Sequence, residues 1–207
     1  MAKRGKKLNQ ASSNHWAQQR DKILSAAMKL FWLKGYDGAS IQEIADASRV
    51  NKATIYYYFE SKPTILYEIT SKILNTLTDM GQAVMNSGLS PDKKLERLIF
   101  NQVMWSFAHP RNLGAFLLER RNLPPKLLQI IISKRDYYEG MFRELLNELI
   151  PKNQSQYPSP KIATFFTFGV MLSLANWYKE DGELSPEEIA SKVYMFISEA
   201  LGIPKST

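Results

Sequence analysis

The spacing of apolar residues predicts helices along the whole chain. Ile23, Ala27 and Phe31 recur at the interval of one helix face and predict a first helix over 19–34, which Gly35 ends. No segment alternates apolar and polar residues in the manner of a half-buried strand. The same periodicity, with caps and prolines, predicts later helices over 61–85, 91–108, 112–121, 125–150, 161–179 and 186–201. With two short helices near the N terminus, we predict an all-α protein of about nine helices.

The two short helices are separated by only a few residues. Ser40 is a suitable N-cap for the first, whose apolar face carries Ile44 and Ala45. Asn51 is a suitable N-cap for the second, which extends to Phe59. Because the connection is so short, the helices must cross at a sharp angle, with the small Ala45 at the crossing. This arrangement is a helix-turn-helix.

The second short helix has an unusual surface. Lys52, Thr54 and the three tyrosines at 56–58 are predicted to be exposed, and Lys62 follows the helix. Hydroxyl and ammonium groups donate hydrogen bonds to phosphate oxygens and base edges, so these residue types favour nucleic-acid binding. The alternative is that the tyrosines pack on a neighbouring element as part of a core.

The residues from Arg20 to Leu66 also carry a family pattern, R..IL.AA..LF...GY...SI.EIA..S.V...TIYYYF.SK..IL. This pattern resembles the DNA-binding domain of the TetR family of bacterial and archaeal repressors. Two positions depart from it: Ser48 stands at the turn position where the family often has Gly, and Pro63 stands where an acidic residue is common. Further along, the stretch ANWYKEDGELSPEEIA resembles the C-terminal part of the same family less sharply.

The resemblance implies a ligand-responsive repressor, a homodimer whose helices from Asn51 to Phe59 enter the major groove of a palindromic operator. On this interpretation, the residues expected to face bases are Gln42, Lys52, Ala53 and Tyr57. Those expected to hold phosphates are Ser40, Thr54, Tyr56, Tyr58 and Lys62. In that family the last two long helices form a four-helix bundle with their copies in the second subunit.

Positive charge is concentrated at the N-terminal end. Residues 1–62 contain 11 Lys and Arg against 5 Asp and Glu, whereas residues 63–207 contain 16 against 15. This asymmetry is expected when one end of a molecule faces a polyanion. We therefore predict a basic flexible arm over 1–18, a helix-turn-helix DNA-binding domain over 19–64 and a ligand-binding and dimerisation domain over 65–207.

Neither a membrane span nor a secretory signal is predicted. The longest apolar run, 165–175, is 11 residues long, whereas a spanning helix needs about 20. The basic N-terminal segment is not followed by an apolar stretch, and the chain has no cysteine. We therefore expect a cytoplasmic protein without disulfides or cysteine-ligated metal.

The helix predicted over 161–179 is apolar on nearly all sides. It therefore needs more cover than a surface helix of a monomer receives. A second subunit would supply this cover, and Gly169 and Ser173, one turn apart, would let a partner helix approach closely. The alternative is burial wholly within its own chain.

Large, deformable apolar side chains in the predicted bundle suit a small-molecule cavity. The candidates are Met104, Trp105, Phe107, Phe116, Tyr137, Met141, Phe165, Phe168, Met171 and Trp177. Arg120 and Arg121 are candidates for binding an anionic head group, although each could equally be a solvated surface charge. The resemblance is strongest to family members that respond to acyl-CoA thioesters of fatty acids or steroid breakdown products, which implies an acyl-CoA effector.

The sequence contains no catalytic or metal-binding constellation. His15 and His109 are isolated, and there is neither an HExxH motif nor a glycine-rich phosphate loop. We therefore predict no enzymatic activity, no cofactor and no metal. Two alternatives belong to other classes: a sequence-tolerant architectural DNA-binding protein, which would need no cavity, and an all-helical enzyme acting on an apolar substrate, which would leave the basic end unexplained.

Overall fold

The computed structural model describes residues 2–110, 121–152, 156–179 and 181–204. These residues form eight α-helices and no strand, which confirms the all-α fold. The helices are α1 (Ala2–Gly38), α2 (Ile41–Ser48), α3 (Lys52–Tyr58), α4 (Lys62–Met85), α5 (Pro91–Ala108), α6 (Pro125–Leu149), α7 (Pro160–Trp177) and α8 (Pro186–Ala200). The helix predicted over 112–121 lies outside the described residues, apart from Arg121. In the described part of the chain, no helix combines the length and apolar character that crossing a membrane requires.

Helix α1 is longer than the sequence predicts, because it is helical from Ala2, where a flexible arm is expected. The expectation of an arm rests on the scarcity of apolar residues. Lys, Arg, Gln and Ala are nevertheless good helix formers, and extending a helix that is already formed needs no new nucleus. Gly35, predicted as the stop, has φ 73 and ψ 169 and interrupts the regular backbone before Gly38.

The chain divides into two compact units. Among the described residues, the first unit comprises 2–70 and 121–128. The second comprises 71–110, 129–152, 156–179 and 181–204. The division falls within α4, between Thr70 and Ser71, whereas the sequence analysis places the domain boundary at 64/65.

The first unit has a core built from the apolar faces of its helices. Helix α1 packs on α2, and α2 packs on α3. The fully buried apolar side chains are Ile23, Ala27, Ala39, Ile44, Ala45, Ile55, Ile65 and Leu66. Ile23 and Ala27 of the first helix and Ile44 and Ala45 of α2 are among them, and Phe31 is 4 % exposed, so the hydrophobic pattern specifies much of this core.

The second unit is organised around α5, which packs on α7 and α8. Helix α4 approaches α6 closely at Gly81, where an added Cβ would lie 2.7 Å from Met141 Sδ. The hydroxyl of Tyr138 on α6 donates to Gln102 Oε1 on α5 at 2.8 Å. Burial raises the pKa of Tyr138, and the hydrogen bond satisfies two buried polar groups inside an apolar core.

The C-terminal end of α8 supplies a test of this packing. Gly202 has φ 63, and the Tyr157 ring lies directly over the position that a Cβ would take. We expect Gly202→Ala to reduce the free energy of unfolding by about 2 kcal/mol, because the new methyl group strains the backbone and collides with the ring. Denaturant unfolding measures the loss.

Gly88→Ala is the matched control, because nothing lies within 4 Å of a Cβ at that glycine. Its stability should stay close to that of the wild type. Equal stabilities for the two variants would contradict the packing of Tyr157 on Gly202.

Candidate nucleic-acid interface

Helix α2 begins with a capping box, which confirms Ser40 as its N-cap. The Ser40 hydroxyl accepts the Glu43 N–H at 3.1 Å, and Glu43 Oε2 accepts the Ser40 N–H at 2.8 Å. Lys34 Nζ forms an ion pair with the same carboxylate. The hydrogen bond from Lys34, followed by those from Ser40, lowers the pKa of Glu43 to about 2. Ser40 is therefore already hydrogen-bonded to Glu43 within the protein.

The turn between α2 and α3 is a Schellman motif. Arg49 adopts the left-handed conformation, with φ 58 and ψ 44. Its N–H donates to the Asp46 carbonyl, and the N–H of Val50 donates to that of Ala45. The prediction that Ser48 occupies the glycine-like position is therefore wrong by one residue. Ser48 is the last helical residue, and its buried hydroxyl donates to carbonyls of the preceding turn.

Helix α3 begins after Asn51, as predicted. Asn51 Oδ1 accepts the Thr54 N–H at 2.7 Å and the Thr54 hydroxyl at 2.8 Å. Ile55 and Phe59 are 0 % and 2 % exposed, so one face of α3 is buried in the core of the first unit. Because α3 has only seven residues, a single buried face leaves the remaining positions open.

The open positions of α3 carry four of the predicted contact residues. The exposed ones are Lys52, Ala53, Tyr56 and Tyr57. Tyr57 is the most open of the tyrosines, with 75 % of its surface exposed. Tyr58 is half-buried, and its ring centroid lies 5.3 Å from that of Trp16. Two of the three tyrosines therefore face outward, and the third packs on a neighbour.

Three other predicted contact residues already use their polar groups within the protein. Thr54 is half-buried and bonded to the N-cap. The Gln42 amide donates to Asp46 Oδ1 at 2.9 Å. Lys62 Nζ lies 4.3 Å from the centroid of the Tyr36 ring, and desolvation by burial lowers the pKa of Lys62. These residues would have to combine a DNA contact with an existing internal one.

Arg20 holds the end of α3, a role that the sequence analysis does not identify. Its guanidinium lies 5.3 Å from the Phe59 ring and 5.7 Å from the Trp16 ring. It also forms an ion pair with Glu68 Oε1 at 2.8 Å. One cation therefore joins α1, the end of α3 and α4. The partners are distant in sequence, so no local pattern could reveal them.

The predicted ligand-binding residues are spread between interior and surface. Trp105, Met141 and Met171 are buried, and Met104, Phe107 and Phe168 are half-buried. The exposed ones are Tyr137, Phe165, Trp177 and Arg121. Phe116 and Arg120 lie outside the described residues. No group of three or more His, Asp or Glu side chains is placed to hold a metal ion within the described ranges.

Helices α7 and α8 share an exposed apolar face. Phe165 and Phe166 on α7 and Phe196 on α8 are 48 %, 62 % and 61 % exposed. They line an open groove of about 530 Å³, to which Gly169 and Ala200 also contribute. Phe165 therefore lines a surface groove and not an interior cavity. An aromatic face of this kind marks an interaction surface.

Family comparisons match both parts of the chain. The family described as bacterial regulatory proteins, tetR family, matches residues 23–69. The tetracyclin repressor-like C-terminal domain matches residues 88–201, which is more than half of the chain. The protein therefore belongs to the TetR family of transcriptional regulators, as the pattern from Arg20 to Leu66 predicts. The families and relatives that match are regulators and not enzymes, in agreement with the sequence analysis.

Two curated relatives illustrate the similarity. The chain is 34 % identical over 122 residues to the probable HTH-type transcriptional regulator YttP of Bacillus subtilis. It is 41 % identical over 71 residues to IcaR of Staphylococcus aureus, the HTH-type negative transcriptional regulator of the biofilm operon icaADBC. These matches span 55 % and 32 % of this chain, and 56 % and 38 % of the relatives.

Solved structures share the fold over most of the chain. A TetR-family regulator from Bordetella parapertussis has a TM-score of 0.80 at 23 % identity and covers 90 % of this chain and 98 % of its own. PfmR from Thermus thermophilus has a TM-score of 0.75 at 26 % identity, with coverage of 89 % and 99 %. AibR, in complex with isovaleryl coenzyme A and operator DNA, has a TM-score of 0.76 at 22 % identity, with the same coverage.

The capping box of α2 predicts an unusual titration. Glu43 should titrate near pH 2 in the folded protein and not near its ordinary value of 4.5. Because the folded pKa is the lower one, the stabilisation from the ionised carboxylate is complete above about pH 4.5 and is lost as the pH falls toward 2. An NMR titration of the side-chain carboxyl carbon measures this directly.

Ser40→Ala should raise the pKa of Glu43 only in part, since the Lys34 contact remains. A second capping box at the start of α8, formed by Ser185 and Glu188, is the internal control. Ser185→Ala should raise the pKa of Glu188 and leave that of Glu43 unchanged. An inflection for wild-type Glu43 between pH 4 and 5 would contradict the geometry of the cap.

Proposed function

We propose that the protein is a cytoplasmic, ligand-responsive transcriptional repressor. It binds a palindromic operator as a homodimer and is released by a small apolar or acyl-CoA effector. The observation that carries the proposal is the short helix α3, which is fixed along one face and leaves Lys52, Ala53, Tyr56 and Tyr57 open.

The dimensions and residues of α3 suit a major groove. Its seven residues extend roughly 10 Å, and the major groove of B-DNA is about 12 Å wide. Lys52, at the N-terminal end, would donate to acceptors on base edges. Ala53 is small enough to let the backbone approach a thymine methyl group, and Tyr57 adds a second group that reaches bases. The Tyr56 hydroxyl would donate to a phosphate.

The remaining contact residues would position the protein without reading sequence. Ser40, Thr54, Tyr58 and Lys62 are proposed for phosphates, each in addition to its internal partner. Gln42 would face a base only by exchanging its bond to Asp46. The positive charge of residues 1–62 adds the sequence-independent attraction to the duplex.

The exposed aromatic face of α7 and α8 supports the homodimer. A two-fold interface pairs a surface patch with its own copy, so Phe165, Phe166 and Phe196 of two subunits would cover one another. Gly169 lies on this face, with nothing within 4 Å of the position of a Cβ, which leaves room for a partner helix. A dimer also suits DNA, since two copies of α3 would read half-sites about 34–36 Å apart.

An acyl-CoA effector is supported by chemistry and by related structures. AibR, which shares this fold, binds isovaleryl coenzyme A, and KstR2 of Mycobacterium tuberculosis is a ketosteroid transcriptional regulator. In this chain α5, α6 and α7 contribute deformable apolar groups suited to an acyl chain, among them Met104, Trp105, Phe107, Met141, Phe168 and Met171. A ligand that prefers a dimer with wrongly spaced α3 helices would release DNA, by no more than its differential affinity.

The proposed function is tested by fluorescence anisotropy with the duplex upstream of the protein's own gene. We expect tighter binding to this duplex than to a scrambled one, and weaker binding when acyl-CoA thioesters of increasing chain length are added. Free coenzyme A is the control and should have little effect. Equal affinity for both duplexes would favour an architectural protein, and hydrolysis of the thioester would favour an enzyme.

Substitutions in α3 test the division between bases and phosphates. Lys52→Ala should reduce discrimination at one base pair of each half-site by about 1–3 kcal/mol, because a base contact is lost. Tyr56→Phe should weaken binding to all duplexes alike, by about 1 kcal/mol, because a phosphate contact is lost. Competition among single-base variants of the bound duplex measures both effects.

Lys152→Ala is the matched control, since it removes an exposed lysine from the second unit. It should alter neither affinity nor preference. If Lys52→Ala left the preferred bases unchanged, the assignment of Lys52 to a base would be wrong.

The interface on α7 and α8 is tested by Phe166→Glu. Placing a carboxylate on the apolar face should convert the dimer to a monomer, because both copies of the charge would be desolvated together. Light scattering after size-exclusion chromatography measures the mass. Leu89→Glu, at an exposed apolar residue that precedes α5, should leave the dimer intact. A wild-type protein that is monomeric at micromolar concentration would contradict the proposal.

A further inference from the structure

The turn of the helix-turn-helix contains a residue whose backbone conformation is costly. Arg49 is the single residue other than glycine with a positive φ in the described part of the chain. Glycine adopts this conformation without the steric conflict that a Cβ creates. The conformation is imposed on Arg49, because the N–H groups at 49 and 50 must both close the end of α2. Backbone strain of this kind is concentrated at functional sites, so the side chain of Arg49 is a candidate for a functional contact.

The Arg49 side chain makes no contact within the described part of the protein that would offset the free-energy cost of the left-handed backbone. The residue is exposed. Its guanidinium forms no ion pair, hydrogen bond or ring contact with any residue that the structure describes. The nearest acidic neighbour in sequence, Asp46, accepts the Gln42 amide instead. The charge therefore faces solvent. The backbone that carries it is fixed by the hydrogen bonds of the N–H groups of Arg49 and Val50.

The position of Arg49 relative to α3 indicates where this charge would act. It lies two residues before the N-cap Asn51 and three before Lys52. When a helix-turn-helix docks, the second helix places its N-terminal residues against base edges and the first helix crosses the backbone. A residue in the turn just before the second helix consequently lies at the rim of the groove, where the phosphates are. A guanidinium suits a phosphate because it donates two parallel hydrogen bonds.

We propose that Arg49 is an additional phosphate-binding residue of the interface, kept in a strained conformation because it anchors the N-terminal end of α3 to the DNA backbone. The inference rests on the proposed DNA-binding function and adds to it a contact that comes from the turn, not from either helix. A glycine here would make a more stable domain that binds DNA less well.

Three variants separate charge from strain. Arg49→Gly removes both, Arg49→Asn removes the charge and tolerates the left-handed backbone, and Arg49→Lys keeps the charge and the strain. Each is measured against the duplex that the wild type selects and against an unrelated duplex of equal length, between 50 and 200 mM KCl. Thermal unfolding of each variant gives Tm.

We expect Arg49→Gly and Arg49→Asn to bind both duplexes about 5- to 10-fold more weakly at low salt. The slope of log K against log salt should become shallower by about 2 per dimer, one for each subunit, whereas Arg49→Lys should keep the wild-type slope. Arg49→Gly should also raise Tm by about 2 °C, so weaker binding cannot be ascribed to misfolding. Arg97→Ala, which removes an exposed charge from α5, should bind as the wild type does.

Three results would overturn the inference. One is an Arg49→Gly protein that binds with wild-type affinity and slope, and another is a lower Tm for that variant, which would show that the position is not strained. The third is a loss confined to the selected duplex, because this would make Arg49 a base-reading residue. If the wild-type protein binds neither duplex, the proposed function itself fails, which is a different outcome from a variant that binds like the wild type.

Discussion

The crossing of α2 and α3 is the constraint on which the rest of the interface depends. Seven residues are too few to form a stable helix alone in water, because the nucleation cost is not recovered over so short a length. Helix α3 is ordered by its packing on α2, by the complete burial of Ile55 in the core that also contains Ile44 and Ala45, and by caps at both of its ends. Because the buried face and the caps stabilise α3, the exposed positions of this helix do not have to contribute to its stability and are available for binding.

The second unit likewise combines a well-packed interior with an exposed face. In its interior the Tyr138 hydroxyl is bonded to Gln102, and aromatic contacts join Tyr138, Phe142 and Phe168. Its surface nevertheless keeps Phe166 and Phe196 open on one face of α7 and α8. An exposed aromatic face of this kind marks an interaction surface, and the proposed homodimer would cover it with the same face of a second copy.

The sequence predicts those features whose causes are local. The caps at Ser40 and Asn51 are predictable because each side chain bonds to its own helix, and the helix positions follow from apolar spacing. The left-handed turn residue is Arg49, one position after the predicted Ser48, because no glycine marks it. Residues 2–18 are helical although their low apolar content favours a flexible arm, because weak apolar content does not prevent a helix from extending.

Features that depend on distant partners could not be predicted. The sequence gives no sign that Arg20 meets Phe59 and Glu68, or that Lys62 lies over the Tyr36 ring. For the same reason composition identified aromatic candidates for a ligand site but could not separate buried Met171 from exposed Trp177, which requires the packing of whole helices.

The account is tested most directly by selection from a pool of fully randomised duplexes with the wild-type protein. It predicts enrichment of a palindrome whose half-sites are centred about one helical turn or somewhat more apart, because two identical α3 helices related by two-fold symmetry would read it. A pool that remains random through successive rounds, while the protein stays folded, would contradict the claim that the crossed helices present a sequence-reading surface.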